Sequence, residues 1–353
     1  MGTSGLYLAT GRSDIPDAAG ARWMNESMKA LRFDRTGSLD HLKIEEVPRP
    51  EPGPGCVLVK IKAAALNPSD AKNVLGRMAE TTLPRIPGRD FAGLVVVGSA
   101  AYPEGAEVFG TGSSIGFTRD GSHAEFIEVP VEAIKPKPKS LTFEQAACVG
   151  IPYLTAWRAV VEAASLQPQE TILITGTAGA VGDAAARIAK RVCKATVIGV
   201  ARRHEDLVRL RLADYVDNLV DLGSGVLAEQ VRAETGGRGV DVLLDVVGGE
   251  LFEHCLKCLA LRGRQVAIAS SGERKVTFDL IDFYHNESSL IGVDSIKTSF
   301  PDVDRIMGLL LPYFKSGDFA PSKELASVGF DGVLNAYRNL LEGRTNEKQV
   351  FVP

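Results

Sequence analysis

A chain of 353 residues is longer than one hydrophobic core usually organises, so two domains are expected. Hydrophobic residues at 45% and charged residues at 24% exclude a disordered or fibrous protein, and a net charge of −4 excludes the basic field of a nucleic-acid binder. No apolar run approaches the ~20 residues that cross a bilayer, and five scattered cysteines fit reduced thiols in a cytoplasmic setting, not a disulfide framework.

Residues 1–27 are small and polar, with no periodic apolar face, and are expected to form a disordered leader. From Met28 short apolar or alternating runs follow at 28–33, 42–46, 57–65, 91–97, 107–110 and 124–129, separated by glycines. Many short strands with glycine turns predict an antiparallel, barrel-like domain. The period then changes. Thr142 with Gln145 three positions on marks a helix start, and 151–164 reads as a second helix.

The next stretch is the most informative. Ile172, Leu173 and Ile174 form a β-rich run, and Gly176, Thr177, Ala178, Gly179, Ala180, Val181 and Gly182 lead from it into an amphipathic helix beginning at Asp183. A buried strand that turns through glycines into a helix N-terminus is an anion site. The first helical N–H groups lack internal partners, and the peptide dipoles place positive charge there. Gly179 and Gly182 allow a pyrophosphate to lie on the backbone and the helix to pack close. Thr177 stands where the full glycine pattern would have another glycine, so a tight turn without a ligand is the competing reading. The following run, 195–200, completes a β-α-β unit. A dinucleotide site recognises the adenosine ribose at its end, where NAD calls for a carboxylate. Here stand Ala201, Arg202 and Arg203. Guanidinium groups suit a 2′-phosphate, which predicts NADPH, with the two arginines not separable at this level.

Alternation of strands and helices continues, with helices over 205–212, 227–235 and 250–260 and strands over 215–216, 240–247 and 264–269. Ligands of doubly wound sheets sit beyond the carboxyl ends of the strands, so Gly248, Gly249, Ser270 and Ser271 are candidate contacts, though turn chemistry explains them equally. An edge strand at 290–294, helices over 303–316 and 329–341, and a closing strand at 348–352 follow. This tail is expected to return to the first domain. Cys255 and Cys258, three apart with no second pair, read as core residues.

Together these residues resemble the medium-chain dehydrogenase/reductase superfamily, in its zinc-free quinone oxidoreductase, or zeta-crystallin-like, branch. The resemblance rests on Ala63-Ala-Ala-Leu-Asn-Pro-Ser-Asp70, Ile86-Pro-Gly-Arg-Asp-Phe-Ala-Gly93, Leu154-Thr-Ala-Trp157, Ala178-Gly-Ala-Val-Gly182 and Gly343-Arg-Thr, in the family's order. It implies an α/β fold: a doubly wound Rossmann domain over 150–294 and a discontinuous, β-rich GroES-like catalytic domain over 28–149 plus 295–353. It also implies a homodimer and a small-molecule substrate, with neither nucleic acid nor membrane as partner. The zinc-dependent branch would carry ligands where Asn67, Arg89 and Ile151 stand. These cannot form a zinc site, so no metal is expected. Without a Lewis acid, hydride transfer to a quinone or an activated α,β-unsaturated carbonyl is the accessible chemistry. The alternatives are an enoyl-thioester reductase acting on acyl-CoA or an acyl carrier protein, and a non-catalytic NADPH-binding protein.

By the same resemblance Asn67 faces the nicotinamide, Thr155 touches its ribose, and Tyr153 is a candidate proton donor. An Asx turn, a backbone-bonded hydroxyl and a packing role are their respective alternatives. Asp70 is read as structural, Arg89 and Asp90 as a local charge pair, and Lys348 as solvent-facing. His123, His254 and His285 are read as structural. Loops around 76–83, 113–117 and 284–286 are expected to shape the substrate pocket.

Overall fold

The computed structural model describes residues 26–321 and 324–353, so the leader expected over 1–27 lies almost wholly outside the described residues. Strands β1 (Ser27–Arg32) and β2 (Lys43–Pro48) pair antiparallel. There follow β3 (Cys56–Ala65), α1 (Pro68–Val74), β4 (Asp90–Val97), β5 (Glu107–Gly110), β6 (Phe126–Pro130), β7 (Ile134–Pro136), α2 (Phe143–Ala147) and α3 (Gly150–Trp157). The middle of the chain alternates: β8 (Thr171–Ile174), α4 (Ala180–Ile188), β9 (Thr196–Ala201), α5 (His204–Arg211), β10 (Asn218–Asp221), α6 (Leu227–Glu234), β11 (Val240–Asp245), α7 (Leu251–Leu256), β12 (Leu259–Ala267), α8 (Leu280–His285) and β13 (Ser289–Gly292). The tail holds α9 (Phe300–Ser316), β14 (Leu325–Val328), α10 (Phe330–Glu342) and β15 (Lys348–Phe351).

Six strands form one parallel sheet in the order β10-β9-β8-β11-β12-β13. From β8 the chain winds outward to β10, then returns to β11 on the other side. The switch point therefore lies between β8 and β11, where a crevice opens at the strand ends. Helices cover both faces, which is why residues 172–174 of β8 and 242–244 of β11 are apolar without alternation.

The second sheet runs β14-β15-β3-β4-β5-β7, with β6 also on β3. Strand β15 pairs antiparallel with β3, Val350 opposite Ala65 and Phe351 opposite Ala64. The last strand thus lies beside the segment that enters α1. Between the sheets α3 and α4, each continued by a further helical turn, pack through Ala156, Ala159, Ala184, Ala185 and Ala189, all buried. Small side chains let the two backbones approach, while Phe109, Phe314 and Phe319 supply the volume around them. Each buried large side chain contributes roughly 1.5–3 kcal/mol.

Several elements differ from expectation. Residues 215–216 are not a strand; the pairing begins at Asn218, and Tyr215 is buried against the α4 side of the core. Residues 284–286 end helix α8 and are not a free loop. Helix α1, seven residues opening with Pro68, is too short to show a periodic face and was masked by the turn signal of Asn67-Pro68. Cys255 and Cys258 sit in the core under α6 and α7.

Candidate active site

The glycine turn after β8 is built for close approach. Gly176 has a φ of +56°, and a Cβ on Gly182 would lie 2.3 Å from the Gly176 carbonyl oxygen. Gly179 occupies the N-cap of α4 with no side-chain cap, so the N–H groups of Ala180, Val181 and Gly182 open the helix without an internal partner. The Arg209 guanidinium donates to the Ala178 carbonyl at 3.0 Å and fixes the turn from below. Thr177 does something else. Its N–H donates to the Val200 carbonyl at 3.3 Å, its hydroxyl donates to the Ile174 carbonyl at 2.6 Å, and the same oxygen accepts from the Val200 N–H at 2.9 Å. As a cofactor contact Thr177 is corrected: its donors are spent latching β8 to β9. That also explains why a threonine is tolerated in a glycine position, because its side chain points away from the cradle.

A cleft of about 800 Å³ opens over this turn, lined by Gly179 and Ala178, by Arg202 and Arg203 at the end of β9, and by Gly248 and Ser271 beyond β11 and β12. Asp245, not singled out from sequence, shapes its far wall. One carboxylate oxygen accepts from Thr175 Oγ1 at 3.0 Å and from the N–H groups of Val247 and Gly248 at 3.0 and 2.9 Å. Ser270 is a second correction, since its hydroxyl donates to the Glu273 carbonyl at 2.9 Å and it does not line the cleft. The arginines are now distinct. Arg203 is held by Asp206, with Nε to Oδ2 at 2.8 Å, and by Asn346. Arg202 is exposed and has no side-chain partner among the described residues.

A second cluster lies where β3, β4 and β15 end. Asn67 Nδ2 donates to Asp90 Oδ2 at 2.8 Å, and Lys348 Nζ donates to Asn67 Oδ1 at 2.7 Å and to the Leu66 carbonyl at 2.8 Å. The amide orientation is forced, because an ammonium has no acceptor and a carboxylate has no donor. Asp90 accepts further from Thr111 Oγ1 at 2.6 Å and from the Ile151 N–H at 2.8 Å. Two expectations are thereby corrected. Lys348 does not face solvent; the β15–β3 register brings it to the carbonyl end of β3. Asp90 does not pair with Arg89; its oxygens are filled by Asn67, Thr111 and Ile151, while Arg89 Nη1 donates to Ser295 Oγ at 3.2 Å and its guanidinium lies 5.2 Å from the Phe117 ring centre.

On α3 the candidate pair separates. Residues two apart lie about 200° around a helix, so Tyr153 and Thr155 cannot face the same site. Thr155 is buried and its hydroxyl has no partner among the described residues, not even on its own helix. Tyr153 turns into the aromatic core, its ring centre 5.1 Å from Phe314 and 4.9 Å from Phe319. Burial pushes its phenol well above the usual range, so Tyr153 is withdrawn as proton donor. His123 is structural. Burial lowers it to about 4, so the neutral ring donates through Nε2 to the Ala65 carbonyl and accepts from Tyr337 Oη at 2.6 Å.

Asp70 accepts from the Asn67 N–H at 2.8 Å and is otherwise enclosed; burial, with Asp90 nearby, raises its carboxyl from 3.8 to about 7. The folded protein therefore holds this proton more tightly than the unfolded chain. The associated stability is complete below pH ~4 and is lost as pH rises through ~7. We expect Asp70→Asn to match the parent in chemical denaturation near pH 4. It should then gain on the parent as pH rises to 8, by up to about 4 kcal/mol. A difference that is flat or falls with pH contradicts this assignment.

Residues 53–139 match the alcohol dehydrogenase GroES-like domain, and residues 180–309 match the family described as zinc-binding dehydrogenase. A zinc-type alcohol dehydrogenase-like protein of Schizosaccharomyces pombe is 33% identical over 325 residues, 90% of this chain and 94% of the relative. The chain belongs to the medium-chain dehydrogenase/reductase superfamily, in its quinone oxidoreductase-like branch. The quinone oxidoreductase of Lama guanicoe is 31% identical over 271 residues, 75% of this chain and 79% of that one. A solved NAD-dependent alcohol dehydrogenase superposes with a TM-score of 0.82 at 27% identity, over 92% of this chain and all of its own. An oxidoreductase using a nicotinamide cofactor is the class these relatives support.

The zinc in the matched description does not suit the residues present. Asn67 gives its amide oxygen to an ammonium, Arg89 is a cation, Ile151 is apolar, and the Asp90 oxygens already hold three donors. Three N, S or O ligands around an open position cannot be assembled beside two positive side chains. Among the described residues no group of three or more His, Cys, Asp or Glu converges elsewhere.

Proposed function

We propose that this reductase transfers hydride from NADPH, without a metal, to a quinone or an activated α,β-unsaturated carbonyl compound. The observation that carries the cofactor choice is Arg202, exposed at the end of β9 on the rim of the cleft and without a side-chain partner among the described residues. The uncapped α4 N–H groups would hold the pyrophosphate, and Arg202 the 2′-phosphate, with Arg203 pre-set by Asp206 as a second cation. The cofactor, when bound, supplies the hydride. The chain orients the acceptor and stabilises the charge that develops on its oxygen. Lys348 and Asn67 each keep an unassigned N–H after their mutual bond, and the Thr155 hydroxyl is unpartnered among the described residues. One such donor typically contributes roughly 3–4 kcal/mol to a barrier.

The test is NADPH consumption by chelator-treated protein with quinones and enones, repeated with NADH. Arg202→Ala should raise the NADPH Kd about ten- to a hundredfold, the worth of one charge-assisted contact, and leave NADH nearly unchanged; Arg203→Ala should do less. Failure to oxidise NADPH with any acceptor, or a variant that weakens both cofactors equally, removes the reading. The proposal includes a cytoplasmic homodimer through the β13 edge, where Leu290 and, on α8, Leu280, Ile281 and Tyr284 are exposed. Sedimentation velocity showing a monomer at micromolar concentration eliminates that part.

A further inference from the structure

Arg89 is the largest fully enclosed side chain among the described residues, and its hydrogen-bonding capacity is mostly unused. It stands just before β4 and reaches Ser295 in the turn beyond β13, so it lies between the ends of the two sheets. Nη1 is taken by Ser295 Oγ at 3.2 Å. Nε and Nη2 are buried and have no partner among the described residues. Those two atoms form one edge of the guanidinium, and their N–H bonds run parallel as a fork that matches the two oxygens of a carboxylate. The nearby acids do not fill it. Asp90 is occupied by Asn67, Thr111 and Ile151; one Asp70 oxygen accepts from the Asn67 N–H; Asp294 caps the Ile296 N–H. They balance the charge of Arg89 without occupying its fork. Phe117 packs against the guanidinium, its ring centre 5.2 Å from the guanidinium carbon, and offers no acceptor to the fork. A buried cation with two idle donors is costly and calls for a partner that completes it.

We propose that Arg89 is a specificity-determining residue that binds a carboxylate carried by the substrate, so that the acceptor is an enone or quinone bearing a carboxylate group. This rests on the reductase reading above. Lysine would keep the charge and lose the fork.

The test uses the full chain with NADPH and two matched acceptors, 4-oxopent-2-enoate and its methyl ester. Binding of the saturated pair, 4-oxopentanoate and its methyl ester, to the complex with NADP⁺ is measured alongside by calorimetry. The expected result is at least a tenfold preference for the acid in kcat/KM and in Kd. In Arg89→Met the acid-to-ester ratio should fall to about one, and in Arg89→Lys to an intermediate value. The ratio is internal to each protein and does not depend on how much folded variant is recovered. Turnover of neutral acceptors with no acid preference in the parent protein overturns the inference and leaves the reductase reading standing. Tight acid binding with no turnover of any acceptor supports the Arg89 site and counts against the reductase reading. If Arg89→Met weakens NADPH binding while the acid preference survives, Arg89 serves the cofactor and the inference falls.

Discussion

Asp90→Ala should destabilise the protein by about 3–5 kcal/mol, the range for leaving buried charges uncompensated. The carboxylate is fully enclosed and gathers the Asn67 amide, the Thr111 hydroxyl and the Ile151 N–H within 2.6–2.8 Å. Alanine would leave those three donors without acceptors and remove a negative charge beside Lys348 and Arg89. Asp90→Asn distinguishes charge from shape. Its oxygen can still serve Thr111 and Ile151, but its NH2 would meet the Asn67 NH2, so it should lie between the parent and alanine. Both should lower turnover by more than tenfold in the folded fraction, because Asn67 and Lys348 lose the anchor that aims them. Thermal denaturation, with a fall on the order of ten degrees for alanine, reads the first effect; a loss below 1 kcal/mol would show that the network holds nothing together.

What the sequence disclosed follows from range of interaction. The β8–turn–α4 unit was legible because its apolar run, glycines and helix start are contiguous, and each obeys a local rule. The six-stranded parallel sheet was legible for the same reason, repeated. Arg202 and Arg203 could be placed at a strand end by counting, yet their difference could not. It depends on Asp206 one helical turn away and on Asn346, 143 residues distant. Thr177 was read as a departure from a motif, whereas its hydroxyl bridges two strands that are adjacent only in the fold.

The cluster of Asn67, Asp90 and Lys348 shows the limit more sharply. Lys348 bonds Asn67 across 281 positions, through a register set by two residue pairs between β15 and β3. A charged residue at a strand start is normally solvated, so nothing local marked it. Arg89 and Asp90 invited pairing by adjacency, yet Arg89 lies just before β4 and donates to Ser295, while Asp90 opens the strand and is filled by Asn67, Thr111 and Ile151. Tyr153 and Thr155 could have been separated by helical angle alone.

Gly182→Ala should cost more than its chemistry suggests, and in the direction opposite to helix propensity. In an exposed helix this substitution gains about 1 kcal/mol. Here the added Cβ would meet the Gly176 carbonyl oxygen at 2.3 Å and the Thr177 Cα at 2.8 Å, both backbone atoms that cannot swing aside. Relief requires α4 to move off the end of β8, which opens the cradle formed by the Ala180, Val181 and Gly182 N–H groups and splits the alanine seam with α3. Overpacking of this kind costs roughly 1–3 kcal/mol, and a displaced helix N-terminus forfeits hydrogen bonds to the pyrophosphate. The expected result is a clear fall in stability together with at least a tenfold rise in the Kd for the dinucleotide by fluorescence titration. Gly179→Ala is the control from the same turn. Its Cβ would lie 3.1 Å from the Gly176 oxygen and its φ of −81° suits any residue, so its loss should be several times smaller. Equal losses at the two positions would mean that glycine serves chain flexibility there, and that close contact between helix and strand is not what the dinucleotide site depends on.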